Sequence, residues 1–496
     1  MVNNPFYKYS GSDILRNPVI RGLILLFAVF IAFALSKGGF LVAIILFVLP
    51  IATFALIILF RNPALGLSFA FVINFFIIGI SRYITVKLGY LMDITLFMTY
   101  IAWFFVYFEQ RMSLSILKND LVYLALIWFI YLLLTIMNPE AYSKMAWFSA
   151  VRGIGLYMVL TIPLIFLLQN EPKYLDKFLM IWGVISILAA LKAWMQMNIG
   201  PDPWEQKWLD SGGAITHIIF GKFRAFSFYS DAGQFGAALG HVGIVGMLIA
   251  INVPSRKMKI FWSIVAIAGY YGMSVSGTRG ALFVPIGGGA LYILLNRNFK
   301  AFFIGLFLFA VIYTFFRYTY IGNSNYQIYR MRSAFRPEDD ASYMVRIENQ
   351  KRFSEYLKSR PFGVGVGHAG ARAKSYAQES FLSNIATDSW FVLIWAENGI
   401  IGLYLHMFIL GYIIGKGSYI VMFRLRDKVF RAKIMALLCG IFGILTASYG
   451  NAVFGQFPTG ILMYSSMAFI FLSPMMEEKL LAERKQEESQ TQTLNT

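Results

Sequence analysis

The 496-residue chain predicts an all-α polytopic membrane protein. Two observations carry that reading. Hydrophobic residues make up 58% of the chain and charged ones 14%, against about 25% charged in a soluble domain. The apolar residues also fall in repeated runs of roughly 17 to 25, the length that crosses a hydrocarbon core as helix. Such a chain satisfies its backbone polar groups within each helix and needs no separate soluble core.

Taken in order, Lys8, Arg16 and Arg21 accompany a first run over 19–36. It is long and has no convincing small-residue cleavage site, so it reads as an uncleaved helix rather than a leader. Further spans are expected over 40–60, 64–80, 91–108, 121–137, 149–168 and 176–196, then over 231–251, 260–276, 281–295 and 299–318. After a long wet loop come 388–414, 434–449 and 457–475. The count is about 12 to 14, depending on whether weak segments merge or lie flat.

Charge sets the orientation. The 43 Lys and Arg against 25 Asp and Glu give a formal charge of +18. With the amino terminus in the cytoplasm, about sixteen basic residues of the connections fall inside. The short outer loops then hold only Lys37, Arg82, Lys87, Lys144, Arg152 and Arg279. Both termini are then cytoplasmic, with 477–496 a polar, mobile tail, and the long loops 197–230 and 319–387 face outward. No nucleic-acid module is present, so the basic balance is not read as nucleic-acid binding. The single Cys439 allows no intrachain disulfide. His217, His241, His368 and His406 have no metal-site spacing.

The chain divides into amino-terminal spans and a first loop (1–222), a chemistry-bearing region (223–415), closing spans (416–476) and the tail. Within the long loop, 340–360 reads as an amphipathic helix with a stripe of Tyr343, Ile347, Phe353 and Leu357. It either lies on the membrane surface or covers a site.

Candidate chemistry gathers at one face. Arg224 precedes a span, Arg279 is pinched in a tight turn between two spans, and Arg346 lies in the long loop. An arginine at the bilayer edge is costly unless it snorkels or meets an anion, and its fork matches phosphate oxygens bidentately. Asp388 opens its span, as a proton acceptor for a hydroxyl nucleophile or as a helix N-cap. Glu397 lies nine residues further along (397 − 388), so the two are not a close carboxylate pair of the glycosidase kind. Gly365 to Gly370 formally matches a dinucleotide fingerprint but lacks the strand-turn-helix context, and glycine-rich flexibility or close backbone packing is the better account. His368, inside that run, is an alternative base.

These residues also carry a resemblance. Arg346, the run from Arg360 through Gly367, and Asp388-Ser389 with Gly399 and Gly402 resemble the signature region of the O-antigen ligase and polymerase family. The Ser276 to Ala281 stretch and the Phe223 to Phe228 stretch resemble its two arginine segments. The resemblance covers roughly 223–402. It implies an inverting, metal-independent membrane glycosyltransferase without cofactor in the bacterial inner membrane, working at the periplasmic face. Its donor would be an undecaprenyl-diphosphate-linked glycan, its acceptor a glycan or lipid-linked hydroxyl, and membrane lipids its surroundings. On that pattern Arg224, Arg279 and Arg346 engage the diphosphate, and Asp388 stands where the ligases carry a histidine. Aspartate is the weaker base, with an ordinary pKa near 3.9 against about 6.5. The competing reading is a lipid-linked oligosaccharide flippase or other transporter, which inverted repeats and charged midplane helices would favour; no repeat is visible. A scaffold without chemistry is the third.

Overall fold

The computed structural model describes residues 52–84, 88–110, 113–219, 221–296, 299–336 and 341–494, with scattered positions between 18 and 50. Eleven helices among them are long and apolar enough to cross a membrane, from Pro63–Ile80 to Thr459–Gln490. Ala52–Arg61 and Phe303–Tyr318 are shorter apolar helices. Most of the expected span over 19–36, most of 40–51, and Lys8, Arg16, Arg21, Lys37, Lys87, Arg111 and Arg297 lie outside the described residues. The sheet among the described residues is a two-residue hairpin pairing Ile218 with Phe223 and Ile219 with Lys222.

Helices begin where local chemistry lets them. Pro172 occupies a first-turn position, where its missing N–H is not needed. Asp231 accepts the Gln234 N–H and opens Ala232–Asn252, and Asp427 caps Lys428–Ala447 in the same way. Ala232–Asn252 is the axis of the bundle, with 89% of its membrane window buried. Its run of Gly and Ala lets Arg256–Val275 and Lys428–Ala447 approach closely, the usual basis of helix packing in lipid.

The long helix Trp390–Tyr419 is interrupted at Gly399, which has φ 67 and ψ −173. The break is filled by the glycine run of the preceding loop. Val364 N–H donates to Ala396 O at 3.0 Å and Gly365 N–H to Glu397 O at 2.9 Å. The Tyr131 hydroxyl donates to Asn398 O at 2.7 Å. A Cβ on Gly399 would lie 2.0 Å from the Pro361 carbonyl oxygen and 2.5 Å from Gly363 N. Irregular backbone at membrane depth is tolerated only when protein satisfies it, and here the loop does so. The run is thus a plug in a broken helix.

Ala341–Leu357 forms as the sequence predicts, with Phe353 and Leu357 buried. Asn349 Nδ2 donates to Ala386 O at 3.4 Å, so the helix sits over the mouth of the Trp390–Tyr419 helix. The carboxy-terminal segment corrects the sequence reading. Rather than a mobile tail from 477, the last helix runs unbroken over Thr459–Leu494. The buried Glu477 carboxylate accepts N–H bonds from Arg426 and Asp427 at 2.8 and 2.7 Å. Arg484 pairs with Asp427 at 2.6 Å. These contacts hold the first part of the segment, between Glu477 and Arg484, against the bundle, and residues 485–490 are exposed.

Candidate functional site

Arg224 follows the small hairpin and is held against the Ser276–Gly280 turn. Its Nε donates to Ser276 O at 2.9 Å, Nη2 to Thr278 Oγ1 at 2.8 Å and Nη1 to Thr216 O at 2.8 Å. Arg279, on that turn, reaches Ser333 Oγ with Nη1 at 3.1 Å. The turn is possible because Gly277 takes φ 57, a left-handed conformation that glycine adopts without steric cost. Arg330 donates from Nε to Gly277 O at 3.3 Å. Arg346 comes from the helix above.

All four guanidiniums line one cavity of about 190 Å³, with Asp231, Thr278 and Asn451. Asp231 is its one carboxylate, and it is engaged locally: Oδ1 accepts the Gln234 N–H and Oδ2 the Ser230 hydroxyl, each at 2.9 Å. Four arginines against one occupied carboxylate leave the basin strongly positive. Clustered like charge opposes folding, and planar forks facing a common space are the chemistry that grips phosphate oxygens.

Arg346 also leads to Asp388. Its Nε lies 3.6 Å from Asp388 Oδ2, an ion pair beyond hydrogen-bond length. Both side chains are about a third or more exposed, at 34% and 42%. Asp388 has φ 45, with the Ser389 N–H folded back onto Thr387 O. A non-glycine residue there costs on the order of 1 kcal/mol, less for Asp and Asn. The N-cap residue of the following helix is Ser389, without a side-chain capping bond. The alternative reading of Asp388 as an N-cap is therefore corrected, because the helix starts one residue later than the sequence suggests.

The histidines are structural in their surroundings. His368 is fully buried, accepts the Ser143 N–H at Nε2 (3.1 Å) and faces Val366 O with Nδ1 at 3.1 Å. Buried His217 accepts the Ala232 N–H at Nε2 and donates from Nδ1 towards Gly213 O. Burial pushes both below the ordinary histidine range. Neither lines the basin. His406 accepts the Trp390 indole N–H at 3.0 Å, and His241 is buried in the Ala232–Asn252 helix. Among the described residues no group of three His, Cys, Asp or Glu side chains is placed to hold a metal ion.

Arg82 holds the approach to Arg224. Its guanidinium lies over the rings of Trp208 and Phe226, at 4.6 and 4.5 Å. It donates to the carbonyls of Ser227 (3.1 Å), Ser230 (3.2 Å) and Tyr229. Burial pulls its pKa down to about 10, so it stays charged at neutral pH. The sequence marks Arg82 only as one basic loop residue among several. Arg330 and Asn451 likewise carry no distinguishing mark in the sequence. Arg330 is one of four arginines between 330 and 346, and only its contact with Gly277 O sets it apart. Asn451 carries no charge signal at all.

The fold and site define a multi-pass membrane protein with an arginine-lined basin at one face and an aspartate beside it. The profile of a family described as O-antigen ligase matches residues 264–407. An O-antigen polymerase of Salmonella muenchen is 29% identical over 191 residues, covering 38% of this chain and 45% of the relative. The chain thus spans less than half the length of that relative. Both findings support the O-antigen ligase and polymerase family. The family match includes Arg279, Arg330, Arg346, Asp388 and the break at Gly399, whereas Arg224, Asp231 and Asn451 lie outside it.

Proposed function

We propose that this protein is a membrane glycosyltransferase. It would move a glycan from undecaprenyl diphosphate to an acceptor hydroxyl, at the periplasmic face of the inner membrane, in cell-surface polysaccharide synthesis. The observation that carries this reading is the convergence of Arg224, Arg279, Arg330 and Arg346 on one small basin next to Asp388. The diphosphate would sit among the guanidiniums, with Arg224 chiefly fixing the turn that presents Arg279. The acceptor oxygen would attack the anomeric carbon from the side opposite the diphosphate, with inversion. As the bond from that carbon to the diphosphate oxygen breaks, the negative charge gathers on the leaving group, where fixed cations stabilise it. The hydroxyl proton passes to the Asp388 carboxylate. We place the base at Asp388 rather than His368, whose two ring nitrogens face backbone groups.

A flippase moving the same lipid would also need a phosphate site. Alternating access, however, favours a charged constellation near the midplane between repeats, and this one gathers where loops meet helix ends.

The test is a transfer assay in EDTA with purified protein, an undecaprenyl-diphosphate oligosaccharide and candidate acceptors. Release of the lipid diphosphate with glycan on the acceptor, lost in Arg279→Ala, is the expected result. Tight donor binding with no turnover across several acceptors would instead favour the transporter. Loss in Arg279→Ala with full activity in Asp388→Asn would keep the transferase and move the base elsewhere.

A further inference from the structure

A second cavity opens beside the basin, between the 197–223 loop and the start of the long loop. Its volume is about 660 Å³, within the roughly 300–1,000 Å³ typical of small-ligand sites. Its wall combines the amides of Gln206 and Asn325, the Ser324 hydroxyl, the Lys222 ammonium and the ring of Phe223 with apolar side chains such as Leu209 and Ile218; Gln206 Nε2 donates to Asp210 Oδ1 at 2.8 Å and Asn325 Oδ1 accepts the Ile328 N–H at 3.4 Å. We propose that this cleft is a saccharide site that takes the glycan of the lipid-linked donor. The proposal rests on the diphosphate reading of the basin.

Three features support it. The first is chemistry: amides and hydroxyls each donate and accept, which matches the mixed donors and acceptors around a sugar ring. An aromatic face suits the apolar side of that ring. A basin for phosphate alone would carry more cation than the single Lys222 found here.

The second is continuity. Phe223 lines the cleft and the next residue, Arg224, lines the basin. Asn325 lines the cleft and Arg330, five residues on, lines the basin (330 − 325). One ligand can therefore place its diphosphate among the arginines and extend sugars along the same two chain segments.

The third is pre-organisation. The Pro203–Trp208 helix behind the cleft starts with a reciprocal cap between Asp202 and Glu205. Lys192 pairs with both, at 2.9 and 3.2 Å. Gln196 ties Glu205 to the Phe226 and Ser227 N–H groups. A wall held this way loses little freedom when a ligand arrives, which favours affinity.

The experiment measures binding to the full-length protein in nanodiscs. The probes are undecaprenyl diphosphate and the same lipid carrying the repeat-unit oligosaccharide of the source organism. The variant is Gln206→Ala with Asn325→Ala, two exposed positions, and unchanged melting in detergent checks its fold. The wild type is expected to bind the glycosylated lipid about tenfold more tightly than the bare one. The variant loses that difference while its affinity for the bare lipid stays within about twofold. Equal binding of the two lipids by the wild type overturns the proposal, as does an equal loss for both in the variant. Failure of the diphosphate reading looks different: neither lipid binds, or Arg279→Ala binds both as the wild type does, and the cleft proposal then falls with it.

Discussion

Replacing Asp388 with asparagine separates chemistry from architecture. The Arg346 ion pair spans 3.6 Å, with side chains 34% and 42% exposed. After solvent screening it is worth about 1 kcal/mol at most. Asparagine accepts the left-handed φ of 45 as readily as aspartate, so the backbone need not move. Asp388→Asn should shift the apparent melting temperature by about 3 °C or less. If Asp388 takes the acceptor proton, the same change should cut turnover by about 10²- to 10⁴-fold, roughly 3–5 kcal/mol of barrier. Donor affinity should hardly fall, because the basin arginines remain. Asp388→Ala adds on the order of 1 kcal/mol of backbone strain, so comparing the two isolates the conformational cost. The assay pairs glycan transfer with donor binding and thermal melting on one preparation. Asp388→Asn with more than about a tenth of the wild-type rate at saturating donor would refute the aspartate as base.

Further outcomes follow from the same geometry. Gly399→Ala would press a Cβ to 2.0 Å from the Pro361 carbonyl oxygen, in a backbone region that is essentially glycine-only. It should destabilise by at least about 3 kcal/mol or prevent folding, read by yield and melting; near-normal melting would show that the plug is not tightly seated. Arg82→Ala removes two ring contacts and three carbonyl bonds. It should cost about 3 kcal/mol or more and lower transfer; Arg82→Lys, which lacks the planar fork, should restore little. Burial lowers the pKa of both His217 and His368, so the unfolded chain binds protons that the folded chain refuses. Their stabilisation is complete above about pH 6.5 and is lost as pH falls below it; a melting temperature that stays flat from pH 7.5 to 5.5 would refute this. Arg330→Ala should weaken donor binding by about tenfold or more with melting unchanged, and a large melting loss would mark Arg330 as a strut.

Much of this was readable in the chain because lipid imposes a strong code. Length and apolarity locate the described spans, although the ends of the last three differ by up to about 15 residues, and Phe353 and Leu357 are buried as their stripe demands. The three predicted arginines meet in one basin because two of their segments flank the ends of neighbouring spans, which fixes their depth. What stayed hidden depends on three-dimensional pairing. The Gly363 to Gly367 run reads equally as a flexible or a closely packed loop, and nothing local says that its N–H groups complete a broken helix behind it. Residues 477–494 look solvated, and Glu477 meeting the Arg426 and Asp427 N–H groups, with Arg484 paired to Asp427, shows why the helix continues. Arg330 is indistinguishable in sequence from its basic neighbours until Gly277 O selects it.

The same distinction explains how Arg346 relates to Asp388. On the chain they are a loop cation and a helix-mouth acid 42 residues apart (388 − 346). In space the arginine belongs to both the basin and the pair. One guanidinium then couples where charge would accumulate on a leaving group to where a proton would be taken. In the proposed displacement those two events share a transition state, so losing Arg346 should impair binding and turnover together. Losing Asp388 should impair turnover alone, because only the proton transfer passes through it.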